Sequence, residues 1–373
     1  MGSKRSMLLN GLGEALGQSI EECNRVFDLF TGSGAVAWHV AQNYSREVIA
    51  SDLQTYAVVL AAGVIERTQS LKEGDWVDAW LQQAEALRPR NIAKQARLLQ
   101  NDLGAKDISE LATKGKEICD SVDLPICAAY GGHYYSPLQA LWFDTLRQSL
   151  PAAKDERKVG LAALVIAASK AAAAPGHTAQ PFKPNATAGR FLAEAWARDV
   201  PSLVRQAVSE LSKKHSRLAG MAILADANDL AKSVKEGDLV FLDPPYSGVH
   251  YSRFYHVLES IAVGQTGEIS GVGRYPPALE RPRSDYSLRT KSKLAFDHLL
   301  KTLSDRGASA IVTFPAGAAS NGLTGEDVTR MAESHFAIQE AKVSSRFSTL
   351  GGDKKHREAR QATTELILRL SPR

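Results

Sequence analysis

The amino-acid sequence predicts an α/β protein: a doubly wound, mostly parallel sheet carrying a large helical insertion. Two stretches carry that prediction. RVFDLF (25–30) is a short apolar strand that passes through the glycine turn TGSG into the helical AVAWHVAQNY, and REVIASD (46–52) follows as a second strand ending in a carboxylate. Strand, glycine turn, helix, strand and acid is how a doubly wound sheet opens. In LVFLDPPYSGVHYSRF (239–254), four apolar residues run straight into Asp243, two prolines and a tyrosine. Proline has no backbone donor and a fixed φ, so two in succession end a buried strand abruptly.

The remaining elements follow in order. LQTYAVVLAAGVIE (53–66) reads as the second helix. Beyond it the pattern changes: 70–120 is polar and helix-prone, 130–151 is aromatic, 156–174 is an alanine-rich helix, and 177–189 is a loop punctuated by proline and glycine. A long helical segment is expected over 190–219. Strand signals return at MAILADAND (221–229), DLVFLDPPY (238–246), ASAIVTFP (308–315) and TTELILRL (363–370). The sheet-bearing part is therefore assigned to residues 1–66 and 216–373, and a mostly helical insertion to 67–215. HFAIQEAKVSSRF and TTELILRL flank a loop holding Gly351 and Gly352, which predicts a hairpin and an antiparallel edge.

Composition narrows the class. The chain has 373 residues, more than one core usually serves, with 44% hydrophobic and 23% charged residues, as in an ordinary soluble protein. No apolar run of about eighteen residues is present, so no membrane span is expected, and LAALVIAAS (161–169) reads as buried helix. The first residues, MGSKRSMLLNGLGEAL, lack the apolar core and cleavage site of a secretory signal. Cys23, Cys119 and Cys127 form no CxxC pair, which points to a reducing cytoplasm and no structural zinc. His133 and His177 have no partner at ligand spacing, so no metal is expected. The net charge of +4 is modest, but 271–293 and 342–360 each hold six Lys/Arg against two acids, leaving the remainder net acidic. Such clustering suits a phosphate-backbone partner. The candidates for those contacts are Arg253, Arg274, Arg281, Arg283, Lys291, Lys354, Lys355 and Arg357, with Tyr251 at the pocket edge.

DLFTGSGAV lacks the third glycine of a G-x-G-x-x-G loop; Gly32 and Gly34 ask only for a tight turn with close backbone approach. Asp52, eighteen residues after Gly34, stands where such folds place an acid for ribose hydroxyls. This half indicates a nucleoside-bearing cofactor. At the end of the later strand, Asp243 and the Pro244 carbonyl offer two acceptors, held rigid because Pro245 restricts the residue before it, and Tyr246 offers a flat face. Two acceptors and an aromatic plane complement an exocyclic amino group on a heteroaromatic base. Hydrogen bonds accepted from that amine localise its lone pair, so a methyl on a sulfonium placed in line could transfer directly, through positioning and electrostatics. In a duplex the base would have to be flipped out first.

This set of motifs resembles the amino-group DNA methyltransferases, specifically the adenine-N6 type with Asp-Pro-Pro-Tyr. MGSKRSMLL is similar to that family's N-terminal cofactor motif, DLFTGSGAVA to its glycine motif, ASDLQTYA to its ribose-binding acid, and LADANDL to the segment beside the cofactor's adenine. HYSRFYHVLE and HREARQATTELIL extend the likeness. The resemblance covers roughly 1–66 and 220–373 and implies a class I S-adenosylmethionine-dependent fold, a site-specific adenine methyltransferase, and 67–215 as target-recognition domain. It implies that Gly2, Ser3, Lys4, Asp28, Phe30, Gly32, Gly34, Asp52, Leu53, Asp226 and Ala227 bind S-adenosylmethionine. It further implies that Asp243, Pro244, Pro245 and Tyr246 hold the adenine, and that duplex DNA is the partner, with a cognate restriction endonuclease or defence-system component beside it. Two departures stand out: no aromatic residue precedes Gly2, and 67–215 matches no named domain. The same chemistry on RNA, on cytosine N4, and a catalytically silent nucleic-acid-binding scaffold remain alternatives.

Overall fold

The computed structural model describes residues 3–72, 74–346 and 362–373. Its sheet has seven strands: β1 (Arg25–Asp28), β2 (Glu47–Asp52), β3 (Met221–Leu224), β4 (Leu239–Leu242), β5 (Ser309–Pro315), β6 (Ala337–Arg346) and β7 (Ala362–Ser371). They lie in the order β3-β2-β1-β4-β5-β7-β6. The first five run parallel, and β7 is antiparallel to both β5 and β6. The expected doubly wound sheet and the terminal hairpin are both present.

Strand chemistry follows position. All four residues of β4 are buried, as a strand covered on both faces requires. In register, Phe27 of β1 faces Ile49 of β2 and Val240 of β4. Helix Ser292–Asp305 presents Phe296, Leu299, Leu300 and Leu303, spaced three and four apart, to the same core as Val240, Leu242, Val312 and Phe314. Arg25, opening β1, makes a two-pronged ion pair to the buried Asp238 before β4, at 3.1 and 2.6 Å. This pair ties together the starts of the two central strands. After β1 the chain moves outward to β2 on one side; after β4 it moves outward to β5 on the other. Loops leaving a sheet at such a reversal diverge and open a crevice at the carboxyl ends of the strands.

The chain divides into two compact units. One comprises Met1–Gln69, His215–Tyr251 and Pro282–Arg373; the other comprises Ser70–Lys214 and Ser252–Arg281. The second unit is built of helices, including Trp76–Leu87, Arg90–Asn101, Ile108–Asp120, Pro137–Gln148 and Lys154–Ala171. Residues 252–281, placed with the sheet on sequence, group with this helical unit instead. Hydrogen bonds give the reason: Arg147 donates to the Ile261, Ala262 and Val263 carbonyls that end helix His256–Val263, Tyr130 pairs with Ser260, and Tyr134 donates to the Gly273 carbonyl. The single long helix expected over 190–219 is two, Gly189–Trp196 and Val200–Ser212. Asp199 caps the second through the Ser202 amide at 2.9 Å, and Pro201 occupies its first turn, so a new helix starts there. No helix of the described residues is long and apolar enough to cross a membrane.

Leu242 is fully buried and is the last residue of β4 before Asp243. Leu242→Ala is expected to lower unfolding free energy by about 2–5 kcal/mol, read from denaturant titration.

Candidate active site

The turn after β1 is built on two left-handed glycines, Gly32 (φ 48°) and Gly34 (φ 75°). Gly34 precedes helix Ala35–Asn43, and a Cβ there would stand 2.8 Å from the Trp38 ring nitrogen. At Gly32 a Cβ would meet nothing closer than the Phe30 carbonyl at 3.9 Å, so space beside that residue is open. Asp52, closing β2, reaches across: its Oδ2 accepts from the Gly32 amide and its Oδ1 from the Gln54 amide, each at 3.0 Å. The Thr31 amide also donates to the Ser51 carbonyl at 2.9 Å. The two motifs that the sequence linked only by spacing are thus in direct contact. Leu53 beside them is half-buried, and Phe30 packs edge-on against Tyr286, centroids 5.0 Å apart. Asp226 caps helix Ala227–Ala231 through the Asn228 amide at 2.8 Å, with Ala227 buried behind it.

Asp28 is 1% exposed, and its Oδ1 and the Thr31 hydroxyl are buried with no hydrogen-bond partner among the described residues. Burial, with Coulomb repulsion from Asp243 and Asp52 added, outweighs the pull of the nearby Thr31 hydroxyl and Phe30 amide and pushes its carboxyl up to about 7. A buried carboxylate oxygen without a close partner suits a polar ligand carrying donors. The glycine turn, Asp28, Thr31 and Asp52 therefore fit a nucleoside-bearing cofactor.

The turn after β4 centres on Asp243. Its Oδ1 accepts from the Lys4 ammonium at 3.0 Å and from the Thr313 hydroxyl of β5 at 3.1 Å. Lys4, delivered by helix Ser3–Met7, lies equally 3.0 Å from Oε2 of Glu365, a β7 carboxylate that is 1% exposed. One cation is shared by two carboxylates from distant parts of the chain. Burial works to lower the Lys4 pKa, but attraction by Asp243 and Glu365 outweighs it and the net shift is upward. Burial raises Asp243, with Glu365 adding, while Lys4 and Thr313 pull the other way. Lys4, grouped on sequence with the cofactor residues, stands in the structure on the Asp243 carboxylate. Pro244 is buried, Pro245 half-buried, and Tyr246 meets Phe314 edge-on at 6.3 Å.

The described basic candidates do not fall in one unit. The 271–293 segment is split between the units, and Arg253, Arg274 and Arg281 fall in the helical one. Arg274 donates to the Ala129 and Ala128 carbonyls at 2.7 and 2.8 Å, ending helix Pro125–Tyr130. Arg253 and Arg281 lie over the Tyr275 ring, at 4.8 and 5.7 Å. Lys291 pairs with Asp285 at 3.1 Å, Arg283 is exposed, and Tyr251 opens the short helix Tyr251–Phe254. Gly2, Lys354, Lys355 and Arg357 lie outside the described residues, and Ser3 opens the first helix. Tyr134, Tyr135 and Phe143 are fully buried in the helical unit.

Three residues of the site were not foreseen: Thr313, Glu365 and Tyr286. Glu365 left one trace, an acid inside the β-prone run TTELILRL, where an outward-facing position is the ordinary expectation.

A family model described as D12 class N6 adenine-specific DNA methyltransferase matches residues 1–91 and 201–306. The chain is 24% identical over 316 residues to the type II methyltransferase M.FokI of Planomicrobium okeanokoites, covering 81% of this chain and 42% of that protein. It is 28% identical over 264 residues to the type II methyltransferase M.NlaIII of Neisseria lactamica, covering 68% and 64%. To the modification methylase StsI of Streptococcus sanguinis it is 24% identical over 315 residues, covering 81% and 42%. The chain thus spans less than two thirds of the length of each of these relatives.

Asp28 supplies a test of the electrostatics. With a native pKa of about 7 against an ordinary carboxylate value near 4, the folded state holds the extra proton between those limits. Its contribution is therefore complete below about pH 4 and is lost as pH rises through 7. Asp28→Asn cannot ionise, so its melting temperature should gain on the parent from pH 5 to pH 8; parallel melting curves across that range would refute the assignment.

Proposed function

The chain belongs to the D12 class N6 adenine-specific DNA methyltransferases, the family match taking in more than half of its residues, and from that premise we propose that it methylates adenine N6 in duplex DNA with S-adenosylmethionine as donor. The observation that carries the reading is the seating of the Asp243–Tyr246 turn at the carboxyl end of β4. That strand lies hydrogen-bonded beside β1, whose own carboxyl end carries the glycine turn.

The glycine turn with Asp28, Thr31 and Asp52 would hold the cofactor, which supplies an electrophilic methyl on its sulfonium. Lys4 and Thr313 both address Asp243 Oδ1, which leaves Oδ2 to accept from the adenine amine, with the Pro244 carbonyl as second acceptor. Accepting both amino hydrogens favours a pyramidal nitrogen with a localised lone pair. Tyr246 would stack on the extruded base, standing in for the neighbouring bases it leaves behind in the duplex. Once methylated, the nitrogen must shed a proton. Burial makes Asp243 a stronger proton acceptor than a carboxylate in water, and its Oδ2 would take it.

The relatives named type II and modification methylases support duplex DNA as partner, and a cognate endonuclease or defence component beside it. Tyr251, Arg253, Arg281, Arg283, Lys291, Lys354, Lys355 and Arg357 would contact the DNA, and the helical unit would supply target recognition.

Asp243→Ala should abolish transfer of labelled methyl to DNA while calorimetry still registers S-adenosylmethionine; retained transfer would end the mechanism. Comparing duplex DNA, single-stranded DNA and RNA fixes the substrate, and long-read mapping of methyladenine fixes its sequence. Lys4→Met removes the cation between Asp243 and Glu365, so Asp243 should protonate more readily. The acid limb of the pH–rate profile is then expected to move to higher pH; an unmoved limb would dissociate Lys4 from the reaction.

A further inference from the structure

We propose that Asn321, with its neighbour Ser320, is a positioning residue that aims the catalytic turn, a role that rests on the methyltransferase reading. Pro244 and Pro245 have no N–H, so the centre of the turn cannot be fixed by donating backbone hydrogen bonds. At these two positions it can be gripped only through its carbonyls. Asn321, in the loop between β5 and helix Gly325–His335, supplies the missing donor: its Nδ2 donates to the Pro245 carbonyl at 2.8 Å and to the Tyr286 carbonyl at 3.0 Å. Its Oδ1 accepts from the Leu323 amide at 3.2 Å, and its own carbonyl accepts from the Ser292 hydroxyl at 2.9 Å. Two carbonyls on one side and an amide on the other leave no ambiguity about which end of the side chain is nitrogen. The residue is fully buried, with every side-chain hydrogen-bonding group used.

A second contact grips the same turn further along. The Gly248 amide donates to the Ser320 hydroxyl at 2.9 Å, and a Cβ on Gly248 would stand only 2.7 Å from the Ser320 carbonyl. In extended, proline-rich backbone, consecutive carbonyls point about 120° apart. Drawing the Pro245 carbonyl onto Asn321 therefore turns the Pro244 carbonyl elsewhere, and this is the oxygen assigned to the adenine amine. Because Tyr286 shares the amide and packs on Phe30, the same clamp registers the turn against the glycine loop.

Asn321→Ala removes the grip from inside the fold. Gly248→Ala forces it open from an exposed position, where folding is not at stake. In the full chain, amide exchange over 246–250 should rise about tenfold in both variants. Calorimetric affinity for S-adenosylmethionine should stay within about twofold, and kcat for methylation of adenine-unmethylated DNA should fall more than about tenfold at unchanged KM for the cofactor. Exchange and kcat at parental values in Gly248→Ala would overturn the clamp, as would a kcat loss matched by equal loss of cofactor affinity. A parent that transfers no methyl would instead refute the functional reading, and the exchange measurement alone would then decide the clamp, parental protection counting against it.

Discussion

One ammonium between a buried carboxylate and a half-buried one organises this site. Lys4 stands 3.0 Å from both Asp243 and Glu365, and its charge offsets the burial that raises the Asp243 carboxyl. Replacing such a pair by apolar residues is often neutral for stability, whereas removing one partner leaves an uncompensated charge. A buried ion pair is thus weak as a stabiliser and strong as a constraint. Here the constraint is placement. It brings the first helix, the end of β4 and the middle of β7 to one point, and with Thr313 it engages Oδ1 of Asp243 rather than Oδ2.

The second constraint is covalent. Tandem proline gives the Asp243–Tyr246 turn rigidity but deprives its two central positions of donors, so neighbouring segments have to supply them. Thr313 of β5 addresses the Asp243 carboxylate, and Asn321, in the loop that β5 feeds, addresses the Pro245 carbonyl. The antiparallel placement of β7 beside β5 is what sets Glu365 opposite Pro315 and within reach of Lys4. Sheet order and site chemistry are therefore one arrangement: the parallel half supplies the crevice, and the antiparallel edge supplies the counter-charge.

This division explains what could be read from the chain. The glycine turn, Asp52 and the Asp-Pro-Pro-Tyr turn were legible because local geometry forces particular residue types there: left-handed φ demands glycine, and an abrupt strand end tolerates proline. Strand and hairpin assignments were legible from apolar runs. Lys4 on Asp243, Thr313, Glu365 and Asn321 were not, because each acts between positions 70 or more apart in the chain. An isolated threonine or asparagine in a loop carries no period and no spacing. The split of 190–219 was missed for a smaller reason, the N-cap and first-turn proline at 199–201. The grouping of 252–281 with the helices rests on carbonyl caps from Arg147 and Arg274 that sequence does not announce.

The insertion raises a final point about tolerance. The chain leaves the sheet-bearing unit after helix Thr55–Ile65 and returns before β3, and the two ends are stitched together. The Ser216 amide and hydroxyl bond to the Arg67 carbonyl at 2.8 Å each, that hydroxyl also reaches the Ile65 carbonyl, and the Gly220 amide does the same at 2.8 Å. Arg67, 3% exposed, folds back onto the Gly63 carbonyl and donates to that of Gln69. Closing a loop costs free energy that grows only slowly with its length, and here the ends are already pinned. A segment hung on such a base can change in length and sequence without straining the strands that carry Asp52 and Asp243. The insertion can therefore diverge while the sheet-bearing unit stays fixed, which accords with a family match that omits residues 92–200 and takes in the stretches on either side.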